Sequence, residues 1–315
     1  FFASMVVLAA NAGGAWSPIG DVTTIMLWIG GQVSTANIIA YVIVPSIFTM
    51  IVPLIIVSFL MKGNIKRPDT KNNVDIISKR QQVAILILGV ASLLFVPVFK
   101  TLTHLPPYLG MLLGLANLWV ITEILHRWHD AKKYRVGSKS NLTQETASSA
   151  HASVQKLQVI KILSKVDVPT VLFFLGILLA VASLQSAGHL GLLAEFLDDK
   201  VKDIYLINLA IGVLSAIVDN VPLVAGAMGM YDIAPGNTVD PYLMNFMIDG
   251  QFWQFLAYCA GTGGSILIIG SAAGVAAMGM EKIDFLWYLK RISLLAFVGY
   301  IAGAAVYYLQ MQIVS

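Results

Sequence analysis

An apolar segment broken by glycines occurs twice in this chain, near the start and near the end. One copy lies in residues 11–21 and the other in residues 261–271. An offset of 250 positions superposes the glycines of the two copies, namely Gly13, Gly14 and Gly20 on Gly263, Gly264 and Gly270. Glycine-broken apolar segments at corresponding positions of two halves are typical of membrane transporters built from inverted repeats. The pattern therefore predicts this architecture.

The composition also indicates a membrane protein. Hydrophobic residues make up 57% of the chain and charged residues 12%, whereas a soluble domain has about 25% charged residues. The apolar stretches fit membrane spans of about 20 residues. We therefore predict an all-α polytopic membrane protein. Its candidate segments are 1–31 (broken), 37–61, 83–99, 105–125, 168–187, 204–230, 251–280 (broken) and 292–312.

Basic residues indicate how the chain crosses the membrane. Most of the 20 Lys and Arg residues lie in stretches 62–82, 126–167 and 281–291, and short loops rich in Lys and Arg stay in the cytoplasm. With these stretches inside, segment 251–280 runs inward and segment 204–230 must begin and end outside. We therefore predict that 204–230 is a re-entrant hairpin.

The same path makes segment 1–31 run outward, antiparallel to 251–280. A matching hairpin is then expected before residue 1, so we expect the chain to be truncated at its N-terminus. The predicted organisation is the end of the first inverted repeat in 1–61 (broken helix plus following span), a cytoplasmic loop in 62–82, scaffold spans of the second repeat in 83–125, a cytoplasmic linker in 126–167, and the remainder of the second repeat in 168–315.

Asp219 is the strongest candidate for a functional residue. It lies in the middle of the predicted hairpin, and an ionisable group at membrane depth indicates a functional site. Ser215, Asn220 and Pro222 lie around it, so opened backbone, an amide and a carboxylate could form an oxygen-rich site for a hard cation. A poorly solvated carboxylate can also take a proton. A structural carboxylate at the hairpin tip is the alternative.

The two breaks offer further candidate ligands for a cation. Unwinding at the glycine pairs, Gly13-Gly14 and Gly263-Gly264, would free carbonyl groups near the middle of the membrane. Close helix packing by small residues is the alternative. The polar residues around the breaks are Asn11, Ser17, Asp21, Thr23 and Thr24 in the first copy and Thr262, Ser265 and Ser271 in the second.

Other chemistry has little support in the sequence. His126 and His129 with Asp130 could bind a metal, but they follow the end of a span, so an interfacial role is favoured. The chain contains no phosphate-binding loop, zinc-binding helix or nucleophile elbow. We therefore predict that the protein is not an enzyme, needs no cofactor and binds no transition metal.

Two motifs resemble a known family. They are Ala10-Asn-Ala-Gly-Gly-Ala-Trp-Ser-Pro-Ile-Gly-Asp-Val-Thr-Thr24 and Ser215-Ala-Ile-Val-Asp-Asn-Val-Pro222. Both are similar to motifs of the NhaD-type sodium/proton antiporters of the ion transporter superfamily. The resemblance extends over the whole chain, and Gly261–Ser271 resembles the second broken helix of that family.

The resemblance implies two inverted repeats, each with a re-entrant hairpin and a broken helix. It also implies exchange of sodium or lithium for protons, with a transport domain that moves against a scaffold. The expected partners are the lipid bilayer, small inorganic cations and a second copy in a homodimer, with no nucleic acid. The expected location is the bacterial inner (plasma) membrane.

Two alternatives stay open at this point. Dicarboxylate and arsenite carriers share the architecture, although carboxylate carriers would be expected to have hairpin tips rich in Ser and Thr. Here the charge of Asp219 would repel a dicarboxylate and attract a cation, which favours cation exchange. The other alternative is a truncated membrane protein that does not transport and whose breaks serve helix packing and partner binding.

Overall fold

A computed structural model describes residues 1–61, 79–137 and 168–314. Within these ranges every regular element is a helix, which confirms the predicted all-α class. In chain order the 14 helices are α1 Phe2–Ala15, α2 Val22–Ile29, α3 Thr35–Leu60, α4 Lys79–Thr103, α5 Pro107–Gly137, α6 Val168–Ser186, α7 His189–Lys200, α8 Ile204–Leu214, α9 Asn220–Met230, α10 Pro241–Met244, α11 Gln251–Gly263, α12 Ala272–Glu281, α13 Phe285–Arg291 and α14 Ser293–Val314.

Several helices are long and apolar enough to cross a bilayer. Among the described residues, four meet this criterion alone, namely Thr35–Leu60, Arg80–Thr103, Pro107–Ile124 and Ser293–Val314. Helices α6 and α7 would form a fifth, bent by 73°. Many apolar side chains on these helices are exposed in the isolated protein, as expected for a surface that faces lipid. The chain is therefore a multi-pass membrane protein.

The chain forms two compact units, Lys66–Phe173 and a larger one made of Phe1–Ile65 with Phe174–Ser315. In the smaller unit α4 packs against α5. Helix α5 continues to Gly137, into the predicted linker 126–167, while residues 138–167 lie outside the described ranges. The side chains of His126, His129 and Asp130 also lie outside the described part, so their predicted role stays a prediction.

In the larger unit, helices α8 and α9 occupy segment 204–230, for which a re-entrant hairpin stays a prediction. Each has 11 residues, about 16 Å of helix, which is too short for a hydrocarbon core of about 30 Å. Tyr205, near the start of α8, donates to Gln251 at 2.6 Å, and the ring of Tyr231, after α9, makes an edge-to-face contact with that of Phe252. Both ends of the hairpin therefore lie beside the start of α11. The tip, at Ser215, lies beside Ala260 near the end of α11.

The two broken helices cross in opposite directions. The first consists of α1 and α2, and the second of α11 and α12. Helix α1 packs against both α11 and α12, and α2 packs against α11. The contacts of each first half with the second half of the other broken helix are those expected of an antiparallel pair.

Two glycines of α14 allow it to pack closely against α3. A Cβ at Gly299 would meet Pro53 Cγ at 2.6 Å, and a Cβ at Gly303 would meet the Pro45 carbonyl oxygen at 2.5 Å. Each proline removes one backbone donor from α3, and small residues at this four-residue spacing let helix backbones approach in a membrane. The contacts along the two helices run in opposite order, so α3 and α14 are antiparallel. Both helices also pack against α11.

Asp249 connects the start of α11 to the start of α3. Its Oδ1 accepts from the Ser34 backbone N–H at 2.5 Å, and its own backbone N–H donates to the Gln32 carbonyl at 2.8 Å. Its φ of 63° lies in the left-handed region, where Asn, Asp and Gly are favoured. A single residue thus combines a rare backbone conformation with an acceptor at a helix N-terminus.

Substitutions at Asp249 should separate these two contributions to stability. We expect Asp249→Asn to change stability little because it keeps an oxygen acceptor and tolerates the left-handed region. Asp249→Gly should cost about 1 kcal/mol by losing the acceptor. Asp249→Ala should cost about 2–3 kcal/mol because it also strains the backbone. Thermal unfolding of the purified protein in detergent measures the order, with exposed Asp232→Ala as control. An Ala variant as stable as the Asn variant would contradict this account.

Candidate cation-binding site

The hairpin tip places polar groups between the two helix breaks. Helix α8 ends at Leu214 and α9 begins at Asn220, with Asp219 as its N-cap residue. The carboxylate of Asp219 lies next to the backbone N–H groups at the start of α9, where the positive end of the helix dipole favours a negative charge. Asp219 is partly exposed, and Asn220 is buried.

Asp21 connects the first break to this tip. It caps α2 by accepting from the Val22 backbone N–H at 2.8 Å. Its other oxygen, Oδ2, accepts from Thr23 Oγ1 at 2.5 Å and from Asn220 Nδ2 at 3.2 Å. The negative charge of Asp219 also acts on Asp21. Two carboxylates from distant parts of the chain thus share one small region.

Asn11 connects the first broken helix to the second break. Its Nδ2 donates to Ser265 Oγ and to Ser271 Oγ, both at 2.8 Å. Ser271 in turn caps α12 by accepting from the Gly274 backbone N–H at 3.2 Å. Because both hydrogens of the Asn11 amide group are donated to serines, its Oδ1 is the atom available to a ligand.

Glycines let the hairpin tip and the second break touch through their backbones. A Cβ at Gly263 would lie 2.6 Å from the Gly212 carbonyl carbon near the end of α8, and a Cβ at Gly270 would lie 2.5 Å from the Ser215 carbonyl oxygen. No side chain could be added there without movement of the neighbouring backbone. A Cβ at Gly264 would likewise meet the Gly270 carbonyl oxygen at 2.5 Å. Close packing, the alternative explanation for the glycines, thus applies to the second break.

The first break is packed differently. A Cβ at Gly14 would meet Asp21 Cβ at 2.9 Å, so this glycine allows the chain to turn back on itself. A Cβ at Gly13 would meet nothing within 4 Å. The two glycine pairs, which correspond in sequence, therefore differ in their surroundings.

Several predicted site residues form local hydrogen bonds instead of meeting the two carboxylates. Thr24 Oγ1 donates to the Ala15 carbonyl at 3.0 Å, and Thr262 Oγ1 donates to the Tyr258 carbonyl at 2.6 Å. Ser215 Oγ lies 2.8 Å from the Gly212 carbonyl and 3.2 Å from that of Ala260. Ser17 Oγ accepts a long bond of 3.5 Å from the Ile19 backbone N–H. These hydroxyls satisfy backbone groups at the breaks.

Sequence reasoning missed the buried tyrosines that surround the second broken helix. Tyr288 donates to the Ser265 carbonyl at 2.8 Å. Tyr258 donates to the Tyr300 carbonyl at 2.7 Å, and its hydroxyl lies 2.6 Å from Thr49 Oγ1. Tyrosines in apolar segments look like ordinary membrane residues, so only the three-dimensional structure shows which carbonyls they reach.

The candidate site gathers carboxylate, amide and hydroxyl groups. Carboxylate, amide and carbonyl oxygens are the ligands that hard cations prefer in proteins. In the part of the chain that the structure describes, no group of three or more His, Cys, Asp or Glu side chains could hold a metal ion. No Lys or Arg among the described residues acts on Asp21 or Asp219.

Comparison with known proteins places the chain among membrane transporters. The family model described as "Citrate transporter" (CitMHS) matches residues 1–249. Sodium/proton antiporter 1 of Arabidopsis thaliana is 47% identical over 307 residues, which cover 96% of this chain and 47% of that protein. Sodium/proton antiporter 2 of the same plant is 43% identical over 307 residues, which cover 66% of that protein.

Bacterial relatives are more distant. The Na(+)/H(+) antiporter NhaD of Vibrio parahaemolyticus is 33% identical over 304 residues, which cover 94% of this chain and 67% of that protein. The chain thus spans between about half and two thirds of these curated relatives. No solved structure matches it. The family match over most of the chain and the NhaD relatives confirm the resemblance, and the chain therefore belongs to the citrate transporter (CitMHS) family, among its NhaD-type members.

Proposed function

We propose that this protein exchanges sodium or lithium ions for protons across a membrane. The observation that carries the proposal is the meeting of Asp21 and Asp219 through Asn220, whose amide donates to Asp21 at 3.2 Å. The hairpin tip thus brings together two carboxylates that are 198 positions apart (219 minus 21). The names of the relatives, which are sodium/proton antiporters, support the same exchange.

Competition for these carboxylates would couple the two ions. An uncompensated negative charge inside a membrane protein is costly, and two neighbouring carboxylates also repel each other. Binding of either a proton or a sodium ion lowers both costs. Because the two ions neutralise the same groups, the site holds one kind of ion at a time. Exchange of the two ions follows if the site crosses the membrane only when it holds an ion.

The remaining predicted ligands would complete the oxygen shell from both breaks. Asn11 offers Oδ1, since both of its amide hydrogens are donated to Ser265 and Ser271. Carbonyls at the two glycine pairs, 13–14 and 263–264, could supply further oxygens where the helices end. In this proposal Thr23 holds Asp21, while Ser17, Ser215, Thr24 and Thr262 keep the surrounding backbone in place.

Citrate transport is the second candidate, because the matching family model is described as a citrate transporter. A site for a tricarboxylate needs donors and positive charge around it. Here the hairpin tip instead presents Asp219 beside Asp21, and no Lys or Arg among the described residues acts on either carboxylate. The electrostatics therefore favour a cation over an organic anion. The same argument applies to the dicarboxylate alternative.

The wider assembly follows from the same proposal. The protein would lie in the lipid bilayer, act on small inorganic cations without a cofactor and form a homodimer. The expected location in a bacterial inner membrane stays a prediction, because relatives come from both plants and bacteria. Arsenite carriage and a purely structural role have no support in the names of the relatives.

Removal of either carboxylate charge should abolish exchange. We expect Asp219→Asn and Asp21→Asn to reduce sodium-induced proton release from proteoliposomes to the level of protein-free liposomes. Each change keeps the shape of the side chain but removes the group that proton and sodium share. The assay imposes a pH gradient and adds sodium, lithium or citrate, and any longer natural form of the protein is tested in parallel.

Asp232→Asn is the matched control for this assay, since Asp232 is an exposed carboxylate outside the helices and should keep full exchange. Exchange that survives Asp219→Asn would show that the proton binds to a different residue. Citrate uptake without sodium-induced proton release would favour the second candidate over antiport.

Thr23 should affect the sodium affinity of the site without being essential for exchange. Thr23→Val keeps the side-chain shape but removes the hydroxyl that donates to Asp21 at 2.5 Å. Loss of one hydrogen bond to this partly buried carboxylate should raise the KM for sodium about fivefold to tenfold with little change in kcat. Sodium titration in proteoliposomes measures both values.

Two further variants control for the Thr23 substitution. Thr23→Ser should restore the KM because it keeps the hydroxyl. Thr101→Val makes the same chemical change at an exposed hydroxyl that donates to the Pro97 carbonyl, and it should have no effect. If Thr23→Val and Thr101→Val gave the same KM, Thr23 would have no role in holding Asp21.

A further inference from the structure

Tyr288 holds one side of the second break. It lies on the short helix α13 and is fully buried. It belongs to a buried hydrophobic cluster with Leu8, Ile268, Ile292 and Ala296. Asp284 caps this helix by accepting from the Trp287 backbone N–H at 2.9 Å. The tyrosine is therefore fixed at both the ring and the backbone.

The hydroxyl of Tyr288 satisfies a carbonyl that the break leaves free. Helix α11 ends at Gly263, and Gly264 is its C-cap residue. The next carbonyl, that of Ser265, accepts from the Tyr288 hydroxyl at 2.8 Å. An unpaired carbonyl at membrane depth costs several kcal/mol, so this bond replaces the one that a continuous helix would supply.

Ser265 is also the residue that contacts Asn11 across the antiparallel helices. Its Oγ accepts from Asn11 Nδ2 at 2.8 Å, and Ser265 is almost completely buried, with 3% of its surface exposed. Tyr288 thus holds the main chain of Ser265, and the side chain of Ser265 orients Asn11. A shift of the Ser265 backbone would move Oγ and, with it, the amide whose Oδ1 is available to a cation.

We propose that Tyr288 is a positioning residue for cation binding, acting on Asn11 through the backbone of Ser265. This inference rests on the proposed sodium/proton exchange and extends it to a residue that touches neither of the two carboxylates. Tyr288 raises the affinity for sodium by keeping the second break in the geometry that binds the ion. Its effect should therefore fall on the KM and not on the rate at saturating sodium.

Tyr288→Phe is the direct test, because it keeps the buried ring and removes only the hydroxyl. We expect the KM for sodium to rise about fivefold to tenfold, the factor that corresponds to one buried hydrogen bond, with kcat within about twofold of the unsubstituted protein. Tyr307→Phe is the matched control. The Tyr307 hydroxyl is equally buried but lies beside Gln251 and Gln254 at the other end of α11, so its loss should leave the KM unchanged.

Sodium binding is measured separately from transport. Bound sodium stabilises the folded protein by an amount that depends on the ratio of its concentration to Kd. In detergent, with choline as the reference cation, Tyr288→Phe should need about fivefold to tenfold more sodium than the unsubstituted protein for the same rise in Tm. Tyr307→Phe should need the same concentration as the unsubstituted protein.

A double substitution tests whether the effect passes through Ser265. Ser265→Ala removes the hydroxyl that contacts Asn11 but keeps the carbonyl that Tyr288 holds. In this background Tyr288→Phe should raise the KM less than twofold, because residues that act through one path are not additive. A full fivefold to tenfold rise in the double variant would overturn the proposed path.

The outcomes separate this inference from the proposed function. An unchanged KM in Tyr288→Phe, or an equal rise in Tyr307→Phe, overturns the role of Tyr288 while exchange itself stands. If the unsubstituted protein neither exchanges sodium for protons nor gains Tm with sodium, both proposals fail. A rise in KM confined to Tyr288→Phe, with a matching shift in sodium-dependent Tm, supports the positioning role.

Discussion

The structure depends on one constraint, which is that unwound backbone inside a membrane must find its hydrogen-bond partners within the protein. Two helices are interrupted here, at residues 16–21 and 264–271, and a hairpin turns back beside them. Each interruption frees backbone carbonyls that water cannot reach in a bilayer. Thr24 meets the Ala15 carbonyl, and Tyr288 meets the Ser265 carbonyl. Side-chain hydroxyls thus take the place of the missing backbone donors.

The same constraint explains why glycines gather at the second break. Direct contact between two backbones leaves no room for a Cβ, as at Gly263 against Gly212 and at Gly270 against Ser215 and Ala216. This contact fixes the position of the hairpin tip along the second broken helix. The position of Asp219 is therefore set by packing that involves no charged group. The proposed binding site and the helix packing thus depend on the same glycines.

The architecture could be predicted because its signals are local or periodic. Glycine pairs 250 positions apart, long apolar runs and clustered basic residues are all visible in the sequence. Asp219 and Asp21 could be named for the same reason, since a carboxylate in an apolar run is conspicuous. The partner of each group could not be predicted. Nothing in the sequence says that Asn220 reaches Asp21 or that Asn11 reaches Ser265, because these contacts join distant segments through the packing of α9 on α2 and of α1 on α11.

The two copies of the glycine-broken segment have similar backbone arrangements but different side chains. Asp21 and Ser271 are 250 positions apart and cap α2 and α12 in the same way, each accepting from a backbone N–H of its own helix. Only the first cap carries a charge, however, and it is the one that meets the hairpin tip. The counterpart of Asn11 is Gly261, where a Cβ would lie 3.0 Å from Ala15 Cβ and 3.6 Å from Asp21 Oδ2. A side chain as large as asparagine there would crowd the carboxylate. In the proposed site, the second copy thus contributes space at the position where the first contributes Asn11, and the charged cap lies in the first copy.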